Sequence, residues 1–143
     1  MADSLHPNDP PRPARPLTVL IVDDEEAIRA IVSRVVTNNG HVVLDAHHGA
    51  DALRVAAAHD GPIDLVISDM YMPGMRGPEI VEELRRQRPG IRALYMSGYG
   101  EEDVVRSGVL PGESFLRKPF NGIQIMVAIA SAMGDRSSAD SDA

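Results

Sequence analysis

Residues 17–26 read LTVLIVDDEE: a run rich in β-branched residues that stops abruptly at two adjacent carboxylates, Asp23 and Asp24. A short, unbroken apolar run of this kind marks a strand covered on both faces, as in a parallel sheet. Behind it the period changes. Across 25–39 the apolar residues fall at Ala27, Ile28, Ile31, Val32, Val35 and Val36, the i, i+3, i+4 stripe of a helix, and Gly40 supplies a left-handed stop. The alternating pattern is therefore a strand followed by a helix, the first pair joined by an acidic turn.

The same alternation continues along the chain. Strands are expected at 17–22, 41–46, 64–68, 91–96 and 114–116, and helices at 25–39, 50–59, 78–88, 101–107 and 121–133. Pro78 suits a first helical turn, and Glu82 with Arg86 has the spacing of an exposed i, i+4 pair. Neighbouring parallel strands need crossover connections, so strands alternating with helices predict one α/β domain, a doubly wound five-stranded parallel sheet.

Composition agrees with a single core. The chain has 143 residues, 43% hydrophobic but only 3% aromatic, so its interior must be built from Val, Ile, Leu, Ala and Met. Residues 1–16, carrying Asp3, His6 and many prolines, read as a disordered leader, and 134–143 as a disordered polar tail, leaving 17–133 as the folded domain. A net charge of -7 with scattered basic residues argues against direct nucleic-acid binding. The absence of cysteine excludes disulfides and thiolate metal sites. With no signal peptide and no membrane-length apolar stretch, a cytoplasmic location without membrane contact is expected. His6, His41, His47, His48 and His59 lack zinc-site spacing and are expected at the surface or at sheet edges.

In doubly wound sheets, ligands bind beyond the carboxyl ends of the strands. The polar residues where the apolar runs stop are Asp23, Asp24, Asp69, Ser97 and Lys118. Taken alone, 23–26 are acids favouring a helix N-terminus, and Lys118 a solvated loop lysine. Brought together, three carboxylates repel one another and raise their own pKa values unless a cation joins them. Oxygen ligands without His or Cys favour magnesium, which is commonly shared with phosphate oxygens. A carboxylate can attack phosphorus when a metal and hydroxyl or ammonium donors offset the charge on the transferring oxygens.

Four segments then carry a resemblance over nearly all of the foldable chain: VLIVDDEE (19–26), SDMYMPGMRG (68–77), YMSG (95–98) and FLRKPF (115–120). In order and spacing they resemble the receiver domains of two-component response regulators, the CheY-like family, which implies the flavodoxin-like strand order 2-1-3-4-5. The resemblance implies that Asp69 accepts a phosphoryl group from a histidine kinase or histidine phosphotransfer protein. Asp24 would bind Mg2+ directly, Asp23 mainly through water, and the backbone carbonyl of Tyr71 would be a further ligand. It further implies that Ser97 contacts the phosphoryl group, that Lys118 pairs with its oxygens, and that Phe115 is the switch aromatic. The protein would promote its own phosphorylation and dephosphorylation without being an enzyme in the ordinary sense, and would act on a separate protein effector.

Departures from the pattern are Ser97 where Thr is commoner, Gly98 where Ala is usual, and Tyr71 at a position that tunes dephosphorylation. Gly98, Gly100, Gly108, Pro111 and Gly112 interrupt the fourth helical region. The SGY and KPF wording also resembles receivers joined to hybrid histidine kinases, so a phosphorelay intermediate from such a kinase is the alternative. A phosphatase of the haloacid dehalogenase type would need a DxD nucleophile at the first strand, which residues 23–26 do not form. A pseudo-receiver would lack part of the acid, hydroxyl and lysine set that is present. In the last helix, Ile125 and Ile129 form a second apolar stripe beside Ile123, Met126, Val127 and Ala130, and whichever stripe does not face the sheet would mark a partner or homodimer surface.

Overall fold

A computed structural model of the chain describes residues 16–98 and 113–142; for 135–142 only the backbone path is described. Five strands form one sheet: β1 (Thr18–Val22), β2 (Val42–Ala46), β3 (Leu65–Asp69), β4 (Arg92–Ser97) and β5 (Ser114–Arg117). The helices are α1 (Glu26–Asn38), α2 (Gly49–Ala58), α3 (Gly77–Gln87) and α4 (Gly122–Asp142). Every pair is parallel, as the alternation of periods predicts, and the strand order β2-β1-β3-β4-β5 is the one the family resemblance implies. The leader before Pro16 and the helix expected at 101–107 lie outside the described residues.

Because strand side chains alternate, the two faces of the sheet carry two cores. Val19 and Ile21 of β1, Leu65 and Ile67 of β3, and Leu94 and Met96 of β4 pack with Val32 and Val36 of α1 and with Ile125 and Ile129 of α4. Leu20, Val22, Val66, Ala93 and Tyr95 point the other way, onto Ala52 and Ala56 of α2 and Ile80, Val81 and Leu84 of α3. Central strands β1 and β3 are buried nearly throughout, while β2 at the edge has its Val42 half exposed.

Gly40 ends α1 with φ +89, the left-handed conformation expected of it. Glu82 and Arg86 pair at 3.4 Å on the outer face of α3, and Glu83 adds a contact at 3.1 Å. Several expectations need correction. Ile31, a member of the apolar stripe of α1, is 48% exposed because Val32 and Val36 occupy the line that meets the sheet. His41 stands just before the edge strand β2, an edge position as expected, but it is buried there rather than superficial, its Nδ1 accepting the N–H of Leu17. The last helix does not end near Met133: it runs to Asp142. A glycine commonly ends a helix by turning left-handed, and Gly134 is not among the positive-φ glycines of the described residues, which are Gly40, Gly61 and Gly74. Of the two stripes on this helix, Ile125 and Ile129 are buried, whereas Ile123 and Val127 are 77% and 63% exposed.

Candidate functional site at the carboxyl rim of the sheet

The register explains how residues far apart in sequence meet. Val22 pairs with Ser68, Asp69 with Met96, and Ser97 with Arg117, so the residues just past these rungs lie along one rim of the sheet. That rim carries Asp23, Asp69, Ser97 and Lys118. Lys118 N–H donates to the carbonyl of Ser97 at 2.8 Å, which fixes the end of β5 against the end of β4. The Lys118-Pro119 peptide is cis.

Asp23 is fully buried and held on every side. Its N–H donates to the Ala46 carbonyl (3.2 Å), its Oδ1 accepts the N–H of Glu25 (2.8 Å), and its carbonyl accepts Nη1 of Arg29 (2.7 Å). The second carboxylate oxygen, Oδ2, faces Nζ of Lys118 at 3.2 Å. Carboxylate oxygens of Asp23, Asp24 and Asp69 lie within 4.8 Å of one another, Asp24 being the exposed member. Lys118 Nζ also reaches Asp69 Oδ1 at 3.4 Å and Glu25 Oε1 at 3.5 Å. The loop that follows Asp69 turns tightly: Gly77 N–H donates to the Met70 carbonyl at 3.0 Å, and a Cβ on Gly77 would stand 2.5 Å from the carbonyl oxygen of Asp69. A larger residue at 77 would therefore push the Asp69 backbone out of place.

The electrostatics are those of an acid-rich, partly dry site. Burial, then the charge of Asp23, push the Asp69 carboxyl up to about 6, against the opposing pull of Lys118. Burial likewise raises Asp23 above the usual carboxylate range, with its bond from the Glu25 N–H and its contact with Lys118 acting the other way. Burial alone would lower the Lys118 ammonium, but Asp69 and Asp23 outweigh it and the net shift is upward. One cation among this many acids leaves negative charge uncompensated. An all-oxygen donor set of this kind fits a hard divalent ion, and the raised carboxyl of Asp69 is the strain that such an ion would relieve.

Of the residues singled out from sequence, Asp23, Asp24, Asp69 and Lys118 come together directly. Ser97 lies at the buried end of β4 on the same rim, and Tyr71 two residues past Asp69 in the β3–α3 loop. Phe115 is not in this group: it pairs with Tyr95 two rungs below the rim, its ring 37% exposed and centred 5.8 Å from that of Tyr95. Sequence reasoning missed Glu25 and Arg29. Glu25 counts there only among the acids of the helix N-terminus and Arg29 has no role, although a carboxylate at the cap of α1 and a guanidinium one turn later are spaced to return to the acidic turn before them.

Comparison with known proteins adds five findings. The family model described as response regulator receiver domain matches residues 19–130. Among curated proteins, sporulation initiation phosphotransferase F of Bacillus subtilis is 35% identical over 112 residues, covering 78% of this chain and 89% of that protein. Sensor kinase CckA of Brucella abortus is 37% identical over 115 residues, which span 78% of this chain but only 12% of the kinase. Among solved structures, chemotaxis response regulator CheY4 of Vibrio cholerae superposes with a TM-score of 0.72 at 30% identity, covering 82% of this chain and 98% of that one. The receiver domain of hybrid histidine kinase CckA gives 0.68 at 31% identity, covering 81% and 98%.

Proposed function

The chain belongs to the response regulator receiver domain family, and from that premise we propose that Asp69 is its phosphoryl acceptor, loaded by a histidine kinase or a histidine phosphotransfer protein. The observation that carries this reading is the placement of Asp69: buried, grouped with the carboxylates of Asp23 and Asp24, and 3.4 Å from the Lys118 ammonium. With its carboxyl near 6, Asp69 is largely ionised at neutral pH and carries a lone pair for attack. A P–O bond to an Asp69 oxygen forms as the P–N bond of the donor phosphohistidine breaks, and the imidazole leaves.

The Asp23, Asp24 and Asp69 carboxylates and the Tyr71 backbone carbonyl would hold Mg2+, which when bound offsets charge on the phosphoryl oxygens. Lys118 pairs with one of those oxygens and Ser97 donates its hydroxyl to another. The same arrangement promotes the hydrolysis that resets the protein. Phosphorylation then shifts the population of the Ser97 and Phe115 region and with it the affinity for a separate protein partner in the cytoplasm. For that contact we assign the exposed stripe of α4, Ile123 and Val127, which with Phe115 and Leu116 lines an open groove of about 410 Å3. A second copy of the chain is one occupant, checked by mass against concentration.

A second reading, a phosphorelay step within a longer hybrid kinase, is favoured by the 37% identity to sensor kinase CckA. It uses the same acceptor. Both readings are tested by incubating the protein with a small acyl phosphate and magnesium and measuring intact mass. One phosphoryl adduct is expected on the wild type and none on Asp69→Asn; equal adducts on both would remove Asp69 from the mechanism. Lys118→Ala is expected to retain the adduct but to lose the change in partner affinity.

A further inference from the structure

The outer side of the Lys118 ammonium is closed by an acid that has no part in the roles above. Glu25 Oε1 stands 3.5 Å from Nζ, against 3.2 Å for Asp23 and 3.4 Å for Asp69. The main chain of Glu25 is fixed at the mouth of the site, its N–H donating to Asp23 Oδ1 and its carbonyl accepting the N–H of Arg29 at 3.1 Å. Its side chain makes no capping bond to α1 and is mostly exposed. Residue 25 is thus held by its backbone, and its carboxylate faces the Lys118 ammonium.

Three acids share one cation, and they are not equivalent. Asp23 and Asp69 belong to the acidic group suited to a divalent ion; Glu25 does not. It is therefore the partner that Lys118 retains when the other two carboxylates turn to a metal. A phosphoryl group arriving on Asp69 must draw Nζ away from it. Asp24 brings the acids at the mouth to four against the one ammonium, the nearby Arg29 being paired with Asp45 at 3.9 Å, so even a divalent cation leaves one negative charge in excess, and neutralising Glu25 removes it.

We infer that Glu25 is a positioning residue that holds the Lys118 ammonium toward the mouth of the site and, through its own charge, slows the entry of dianionic phosphoryl donors. The inference rests on the reading of Asp69 as acceptor and Lys118 as its counter-ion. Since the Glu25 side chain is largely in solvent, its effect is that of a screened surface pair: roughly two- to fivefold in loading rate, shrinking as salt rises.

The test uses the full chain with magnesium and a small acyl phosphate below saturation, following the intact-mass adduct over time in wild type, Glu25→Gln and Glu25→Asp at low and high salt. A parallel arm records the Lys118 side-chain nitrogen resonance by NMR without any donor. Glu25→Gln is expected to load faster at low salt, with the advantage fading at high salt, and to move the Lys118 resonance. Glu25→Asp, which keeps the charge, is expected to restore the wild-type rate. A Glu25→Gln rate equal to or below wild type at low salt, or an unmoved Lys118 resonance, overturns the inference while an Asp69-dependent adduct leaves the acceptor reading intact. A wild type that takes up no phosphoryl group overturns both.

Discussion

The two ends of the sheet share the same strands and are built to opposite purposes. At the amino end, polar groups are matched one to one. Leu17 N–H meets His41 Nδ1 at 3.0 Å, Thr18 N–H meets Asp64 Oδ2 at 2.8 Å, and the Arg88 guanidinium donates to the carbonyls of Ala56, His59 and Gly61. At the carboxyl end, Asp23, Asp24 and Asp69 group together, Lys118 reaches the first and last of them, and the acids outnumber the cation. One end spends its polar groups on closing the fold; the other holds unbalanced charge at some expense in stability. The difference separates residues whose loss weakens the fold from residues whose loss disarms the site.

The largest expected effect is at the rim. An acid whose folded value is raised favours the folded state when protonated, so the Asp69 contribution improves as pH falls from about 6 toward the ordinary 3.8 and is unfavourable at neutral pH. Asp69→Asn removes that burden and is expected to stabilise the fold at pH 7 by up to about 3 kcal/mol, as read by urea denaturation, while abolishing phosphoryl uptake. A destabilised Asp69→Asn would break the contrast between the two ends.

At the opposite end, Arg88→Ala removes three charge-assisted bonds to backbone carbonyls and is expected to destabilise by about 2 kcal/mol. Its rate of phosphoryl uptake under native conditions should match the wild type. The smallest effect is at His41. Burial lowers its pKa, against the pull of Asp64, and Nδ1 must stay unprotonated to accept from Leu17. A depressed histidine gives stability that is present above its ordinary value of 6.5 and lost as pH falls through the folded value, opposite in sign to Asp69. His41→Ala should cost about 1 kcal/mol at pH 7.5 and show a weaker loss on acidification, measured by denaturation across pH.

This contrast also explains what the sequence makes legible. Apolar runs that stop at Asp23, Asp69, Ser97 and Lys118 identify the rim because parallel strands in a doubly wound sheet end their runs on one side. The amino end gives no such signal: nothing in the spacing of His41 and Leu17, or of Arg88 and Gly61, reveals that they meet. Helical periodicity finds the stripes of α4 but not which one faces the sheet, since that depends on the angle at which the helix docks. Ile125 is buried and Ile123 exposed for that reason. Phe115, identified through family resemblance, sits on β5 beside Tyr95, outside the acidic group.

The unbalanced acids of the carboxyl rim are proposed to form one divalent-cation site, which a magnesium titration followed by backbone amide NMR would reveal. Saturating shifts confined to the segments around Asp23 to Glu25, Asp69 to Tyr71, Ser97 and Lys118 are expected, with Leu17, His41 and Asp64 unmoved and with the response lost in Asp23→Asn. Shifts that leave Asp23 and Asp69 unmoved, or that persist unchanged in Asp23→Asn, would contradict it.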